Sequence, residues 1–421
     1  MVQKVTSLLD CPDFIAAHRQ KATDFTRQRC LSFRNLILFL LNQPNSALQT
    51  ELDQFFQTLH QSPLESQSVT AQAFSKARNK LNPSALVALN DVLQCQLDQQ
   101  RLRRRWQGLR LLGVDGSMVH LPLASHQAQH FGSHSGLPVA RLSTLYDLCD
   151  NQTLHGLLVP TDVDERGCAA LHLDHAPDNS LIVFDRGYPA HWLFGDLRRR
   201  NQHFLMRLGT GYNQQVNDFV ASGEPEATHQ FSCTNWLSRK VCEQSGVDPD
   251  TVVAMRLIRV TLASGEVEVL ATSLLDTEAF PADAFQQLYH QRWGIETDYR
   301  RLKQTLKLEN VSGRSVTAVL QDFHAQLLLK NLAMLMQLSQ QPRIERQNQH
   351  RQWRCKANFT QGVSRLKNTL VALVLEPCAE AMARLLALMR KSLTCERPGR
   401  RYPRHRRRPA TQGCEGYKRT R

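Results

Sequence analysis

Three acids carry the chemistry this chain can do: Asp115, Asp185 and Glu296. Val114-Asp115-Gly116-Ser117 and Phe184-Asp185-Arg186-Gly187-Tyr188 each put a carboxylate at the predicted end of a short apolar strand, with glycine close behind. Open sheets containing parallel strands bind ligands at the carboxyl ends of those strands. A carboxylate buried there is costly unless it is paired or binds a metal. Taken singly, each aspartate is more often a turn residue or a helix cap. Glu296 belongs to a polar stripe, Tyr289, Arg292, Glu296 and Lys303, spaced 3, 4 and 7 residues apart. At about 100° per residue the four fall in one narrow strip of a helix, beside an apolar strip of Leu288, Ile295, Leu302 and Leu306. In isolation Arg292 and Glu296 are an intrahelical ion pair worth about a few tenths of a kcal/mol. In company with the two strand-end aspartates they point to a shared site.

Three carboxylates suit two-metal phosphodiester chemistry. Mg²⁺ takes oxygen ligands and few protein carboxylates, keeping waters and phosphate oxygens. Two ions about 3.5–4 Å apart activate the attacking oxygen and stabilise the leaving one. Other chemistries lack their signatures: there is no His/Cys cluster at zinc spacing, no Walker-type phosphate loop and no Gly-x-Ser-x-Gly elbow. His120, His126, His130 and His134 follow the first aspartate at spacings of 6, 4 and 4, which fits substrate contact or plain surface better than a metal site.

The elements that position these acids can be read from periodicity. Residues 1–105 are predicted helical, with apolar residues at helical spacing through Phe33, Leu36, Ile37, Leu40 and Leu41, and again through Leu52, Phe55, Phe56 and Leu59. A capped helix follows Ser68 and carries Lys76, Arg78 and Lys80, either as a recognition helix for a groove or as an ordinary surface helix. From about 108 the texture changes. Strands are predicted at 109–115, 141–148 and 153–160, a helix at 165–173, a strand at 180–185, a helix at 190–200 and a strand at 203–208. Residues 209–275 read as a β-rich insertion, with strands at 252–262 and 267–274, and helices resume near 281. The predicted organisation is a helical N-terminal part (1–105), a first core segment (106–208), the insertion (209–275), core helices carrying the glutamate (276–340), a helical C-terminal region (341–396) and a basic tail (397–421).

Composition limits the partners. The chain has 421 residues, and 42% are hydrophobic, which excludes wholesale disorder. Its longest early aliphatic run, Leu36 to Leu41, is far short of the roughly 20 residues of a membrane-spanning helix. No signal-peptide pattern opens the chain, so a soluble cytosolic protein is expected. The net charge is 52 − 38 = +14. Residues 391–421 hold 11 basic and 2 acidic side chains, a local +9, and a second basic run is Arg101, Arg103, Arg104, Arg105 and Arg110. Such clusters suit a polyanion, nucleic acid first. The eleven cysteines are scattered without a C-x-x-C and read as small buried hydrophobes.

These motifs resemble those of cut-and-paste DDE transposases of bacterial insertion sequences, in the insertion-sequence-four family. Tyr289-x2-Arg292-x3-Glu296-x6-Lys303 matches that family's Y-R-E-K signature, and the stretches around Asp115 and Asp185 are similar to its first and second motifs. The likeness runs from Ala73-Phe74-Ser75-Lys76-Ala77-Arg78 to the tail Arg397–Arg404. It implies an α/β fold: an RNase H-like catalytic core with a β-rich insertion between the second aspartate and the glutamate, flanked by a helical N-terminal DNA-binding domain and a helical C-terminal region. Here 296 − 185 = 111 residues separate those two acids. It further implies that Asp115, Asp185 and Glu296 hold two Mg²⁺ ions, with Mn²⁺ as a substitute. Tyr289, Arg292 and Lys303 would grip phosphates near the element's end. Arg186, Lys76, Arg78 and Lys80 would contact DNA, and Trp236 would stack on a flipped base. The implied partners are double-stranded DNA, as terminal inverted repeats and target, and a second copy of the chain in a synaptic homodimer, with no membrane. The expected location is the bacterial cytoplasm, at the nucleoid. The implied activity is strand cleavage and strand transfer, through a hairpin end in relatives with this signature. A repressor derived from an inactive transposase and a branched-DNA nuclease on the same fold remain as alternatives.

Overall fold

The computed structural model describes residues 2–42, 47–62, 68–262, 264–375 and 378–397. The basic tail expected at 397–421 lies, beyond its first residue, outside the described residues.

One mixed sheet organises the molecule. Its strands are β1 (Arg110–His120), β2 (Ser133–His134), β3 (Leu137–Asp147), β4 (Gln152–Val159), β5 (Ser180–Phe184), β6 (His203–Leu208), β7 (Glu226–Phe231), β8 (Val253–Thr261) and β9 (Val267–Thr272). The order across the sheet is β4-β3-β1-β5-β6-β9-β8-β7, with the short β2 also paired to β3. β1 runs antiparallel to β3 and parallel to β5, and β5 runs parallel to β6. β1 and β5 read as unbroken apolar runs because both faces are covered. Leu112, Val114, Ile182 and Phe184 pack in one buried cluster with Ala169 and Leu173 of helix Glu165–Leu173 and Leu193 and Leu197 of helix His191–Arg199. Leu111, Leu181 and Val183, one residue out of step, pack on the other face against Phe285 and Leu288 of helix Ala282–His290. That alternation decides which face each acid takes.

The insertion differs from its expected form. Besides the two predicted strands it contains β7 and the helices Gln214–Ser222 and Trp236–Gln244. It also continues the central sheet, since β9 pairs antiparallel with β6.

The N-terminal part is helical as expected, through Phe33–Leu41, Leu48–His60, Ala71–Arg78 and Ser84–Gln99. Its apolar residues share one cluster with the long helix Val316–Gln347. Arg78 is a correction. It was expected at a DNA-facing surface, but it is only 3% exposed. Its guanidinium bonds Asp322 Oδ1 at 3.0 Å, Gln321 Oε1 at 2.9 Å, Ser312 Oγ at 2.9 Å and the Ala318 carbonyl at 3.0 Å. The side chain fastens the N-terminal helices to the core. Arg78→Ala is therefore expected to destabilise the fold by about 3–5 kcal/mol, because Asp322 would keep a buried charge without its cation. Urea unfolding followed by circular dichroism checks this, and a loss below about 1 kcal/mol would contradict it.

All ten described cysteines are free thiols. Cys168, Cys233, Cys242 and Cys355 are buried as expected, whereas Cys30, Cys95 and Cys378 are exposed.

Candidate active site

Asp115 lies within β1 and not at its end, because β1 pairs with β3 as far as His120. Asp185 directly follows the last residue of β5. Gly113 and Val183 are partners in the parallel ladder, so the two aspartates stand the same number of residues beyond one rung. They share the odd-numbered face with Gly113 and Ser117.

Helix Trp293–Arg300 crosses that face. It lies so close that a Cβ on Gly113 would come within 2.5 Å of Ile295 Cδ1. Tyr299 fixes the crossing by donating its hydroxyl to the Asp115 carbonyl, which also accepts from Ser143 Oγ at 3.1 Å. This crossing brings Glu296 to Asp115. Arg292 links them: its Nη2 donates to Glu296 Oε1 at 3.1 Å, and its Nη1 is 3.6 Å from Asp115 Oδ2.

The single helical stripe expected from the sequence is broken in two places. Tyr289 lies in the last turn of one helix, Ala282–His290, and Arg292 caps the next. Lys303 sits on a π-helical turn, Arg301–Thr305. The wider turn carries its amine to Ser117 Oγ, at 2.8 Å, and to the Met118 carbonyl. Arg292 and Lys303 thus flank Asp115 from two sides. Tyr289 packs with the apolar cluster under the sheet. Its hydroxyl is pushed up to about 12, first by burial, then down by Arg292 and up by Asp185.

The electrostatics are those of crowded acids. Asp115 has its carboxyl pushed up to about 6, chiefly by burial. The Gly116 amide and Arg292 oppose that rise, while Asp185 and Glu165 add to it. Each aspartate folds back on its own turn: Asp115 Oδ1 accepts from the Gly116 amide at 2.9 Å, and Asp185 Oδ1 from the Gly187 amide at 2.8 Å. Tyr188 is fully buried, and its hydroxyl has no hydrogen-bond partner among the described residues. It faces Asp115, Glu165 and Asp185, whose charges, after burial itself and Tyr299, hold its proton on.

Glu165, which the sequence did not single out, also lies near the two aspartates. It is the first residue of helix Glu165–Leu173, after the cap Asp164, and an Asp-Glu pair at a helix start reads as ordinary capping. Its closeness is visible only in the structure: a Cβ on Gly116 would fall 2.9 Å from Glu165 Oε1.

The remaining expected contacts are dispersed. Arg186 is exposed beside Gly209, where a Cβ would meet its Nε at 3.3 Å. Trp236 is 73% exposed at the start of its helix. Lys76 and Lys80 line a groove with Arg27 and Arg29, and none of the three acids borders it. Among the described residues, no three His, Cys, Asp or Glu side chains stand close enough to hold a metal ion, the histidines from 120 to 134 included.

Residues 106–333, more than half of the chain, match the family model of the transposase DDE domain. The chain belongs to this family. Two curated relatives from Escherichia coli (strain K12) are similar to it. Transposase InsG for insertion sequence element IS4 is 27% identical over 218 residues, 50% of this chain and 48% of the relative. Putative transposase InsZ is 27% identical over 117 residues, 26% of this chain and 39% of the relative. The matched stretch therefore spans about half of the first relative and less of the second. A solved piggyBac transposase synaptic complex with hairpin DNA aligns over 92% of this chain and 85% of its own, with a TM-score of 0.45 and 10% identity. The DDE family match and the IS4 relative agree with the resemblance carried by the three motifs.

Proposed function

We propose that this DDE-family chain cleaves DNA at the terminal inverted repeats of its own insertion sequence and joins the freed ends to target DNA. The observation that carries the reading is the convergence of Asp115 and Glu296 on Arg292, with Asp185 just past the end of the neighbouring parallel strand. The sheet order β4-β3-β1-β5-β6 supports an RNase H-like core, extended by the insertion at its β6 edge. The donor chemistry of the three acids suits a divalent cation, since all are carboxylate oxygens and the Tyr188 hydroxyl beside Asp115 and Asp185 has no hydrogen-bond partner among the described residues. The three side chains as they stand are not drawn together to metal-holding distance. Asp115, Asp185 and Glu296 would hold Mg²⁺. The bound ions would make the attacking oxygen nucleophilic and neutralise the leaving one.

The chain's own side chains do the rest. Tyr299 and Ser143 pin the backbone of Asp115. Arg292 bridges Asp115 and Glu296 and would turn to a phosphate once metal ions neutralise those acids, as would Lys303 from its place on Ser117. Tyr289, Arg186, Lys76, Lys80 and Trp236 are read as DNA contacts, and residues 1–105 as the part that binds the repeat. Cleavage through a hairpin end and synapsis as a homodimer complete this reading. No helix among the described residues is long and apolar enough to cross a membrane.

The test is incubation of the full chain with its flanking DNA, with Mg²⁺ or with EDTA, and separation of the products on a denaturing gel. A metal-dependent nick or hairpin at the repeat boundary is the expected product. Specific binding without cleavage in Mg²⁺ or Mn²⁺ would replace this reading with that of a repressor.

A further inference from the structure

Away from the acids, two cysteines face one another across a ribbon of two short strands. β10 (Cys355–Ala357) and β11 (Leu393–Cys395) run antiparallel, with Cys355 opposite Cys395. The ladder fixes which kind of pair this is. The Glu396 amide donates to the Arg354 carbonyl and the Asn358 amide to the Ser392 carbonyl, both at 2.8 Å. Hydrogen-bonded and non-hydrogen-bonded pairs alternate along an antiparallel ladder, so Cys355 and Cys395 form one of the second kind. In such a pair the Cα atoms stand about 4.5 Å apart, within the range that a disulfide spans. The sulfurs are 3.4 Å apart, and both are free thiols. Cys355 is 2% exposed and packs with Ile344 and Ala357, whereas Cys395 is half-buried. Packing as a small hydrophobe accounts for the first thiol. It does not account for a second thiol, partly open to solvent, at the position directly opposite.

We propose that Cys355 and Cys395 are a redox modification site, which a peroxide converts to a disulfide that locks β11, and the basic segment beginning at Arg397, onto the core. The inference is independent of the metal chemistry proposed above. The Cys395 sulfur, as its thiolate, attacks one peroxide oxygen. The O–O bond breaks, and the second oxygen leaves as hydroxide, which becomes water with the proton that the Cys395 thiol had given up. Cys395 then holds a sulfenic acid. The Cys355 sulfur attacks the Cys395 sulfur, the S–O bond breaks, and the departing hydroxide takes the Cys355 proton as water. Two thiols lose two electrons in all, and one hydrogen peroxide becomes two waters. A thiol reductant reverses the bond by exchange. The lock matters because the ribbon is otherwise weak. Each strand has three residues, and a two-stranded ribbon is marginal by itself. Lys356 and Glu396 pair across it at 2.6 Å, but both are exposed and contribute little. β10 is fastened to the long helix Val316–Gln347: Gln341 Nε2 donates to the Cys355 carbonyl at 2.9 Å and Gln337 Nε2 to the Ala357 carbonyl at 3.2 Å. The disulfide extends that attachment to β11. It closes a loop over residues 355–395, with helices Phe359–Leu375 and Ala379–Lys391 inside it, and so restrains the opened ribbon.

The experiment treats the full chain, reduced and then freed of reductant, with hydrogen peroxide in the absence of DNA and metal. Non-reduced tryptic peptides are read by mass spectrometry, and backbone amides by hydrogen–deuterium exchange. Cys355 is expected to be linked to Cys395, and dithiothreitol to remove the link. In the linked chain the amides of residues 354–358 and 392–396 are expected to exchange about tenfold or more slowly. Cys395→Ser keeps the shape of the ribbon and removes one sulfur. Its exchange is expected not to change with peroxide, and its Cys355 is expected to remain a thiol. Cys355 and Cys395 both left as thiols while the exposed Cys30 and Cys95 are oxidised would overturn the site, as would a link from either to another cysteine. The expected link with unchanged exchange would overturn the lock.

Discussion

Glu296→Gln is expected to lower metal-dependent nicking by about a thousandfold or more while leaving DNA affinity and folding close to those of the parent. The size follows from what a metal ligand contributes. An ion that polarises a phosphoryl oxygen supplies several kcal/mol of transition-state stabilisation, and each 1.36 kcal/mol is a tenfold change in rate. Glutamine keeps the length and shape of the side chain and one oxygen for Arg292, so the bridge toward Asp115 survives in part. Glu296 is 37% exposed, and surface substitutions of this kind usually change stability by about 0.5 kcal/mol or less. Loss of activity with retained binding would therefore report on chemistry alone. Single-turnover nicking on a pre-bound repeat substrate, beside a filter-binding isotherm, separates the two. Nicking within tenfold of the parent, with Asp115→Asn inactive, would mean that the third acid is not Glu296.

The residues of the candidate site were easier to pick out in the sequence than the way they are assembled. Asp115 and Asp185 were visible because each follows an apolar run, and a run buried on both faces marks a central strand. The end of β1 was misplaced because the strand's later half, Gly116 to His120, is partly exposed and polar, while its pairing to β3 is a long-range fact. The stripe of Tyr289, Arg292, Glu296 and Lys303 was legible as a set, but the helical wheel assumed one regular helix. The chain breaks at Gln291, where the Gly294 amide bonds the Gln291 carbonyl in a turn, and widens at Arg301 into a π turn. Those two departures, and not a common helical face, accompany the placing of Arg292 at Asp115 and of Lys303 at Ser117. Arg78 was misjudged for a related reason: its partners, Ser312 to Asp322, lie some 240 residues away in sequence. The closeness of Glu165 to Gly116 and Gly187 likewise left no trace in the sequence.

A second large effect is expected from acid, through histidines that play no part in the proposed chemistry. His155 Nδ1 lies 3.0 Å from His172 Nδ1, and His172 Nε2 lies 3.0 Å from Ser143 Oγ, the hydroxyl that supports the Asp115 carbonyl. His175 stacks on His155 at 3.7 Å between ring centroids. Burial, with the neighbouring histidines, pushes His155 down to about 3 and His172 well below the usual imidazole range. Burial alone pushes His324 down to about 4. Asp174 opposes the shift at His155 weakly, and Asp91 faces His175. The folded state thus keeps these imidazoles neutral where the unfolded chain, titrating near 6.5, takes up protons. Stability is full above about pH 6.5 and falls as pH drops toward 4. At pH 5, which lies about 1.5 units below the unfolded value of 6.5 and above both folded values, His155 and His324 each cost about 2 kcal/mol. His172 adds to the loss. Asp91, Asp115 and Asp147, whose carboxyls are pushed up chiefly by burial, act in the opposite direction and offset part of it. The double variant His155→Asn with His324→Asn isolates the histidine part. Relative to the parent, in EDTA, its stability at pH 5 is expected to improve by about 4 kcal/mol more than at pH 7.5. Urea unfolding of both proteins at the two pH values measures this, and an equal difference at both would show that these imidazoles are not held neutral by the fold.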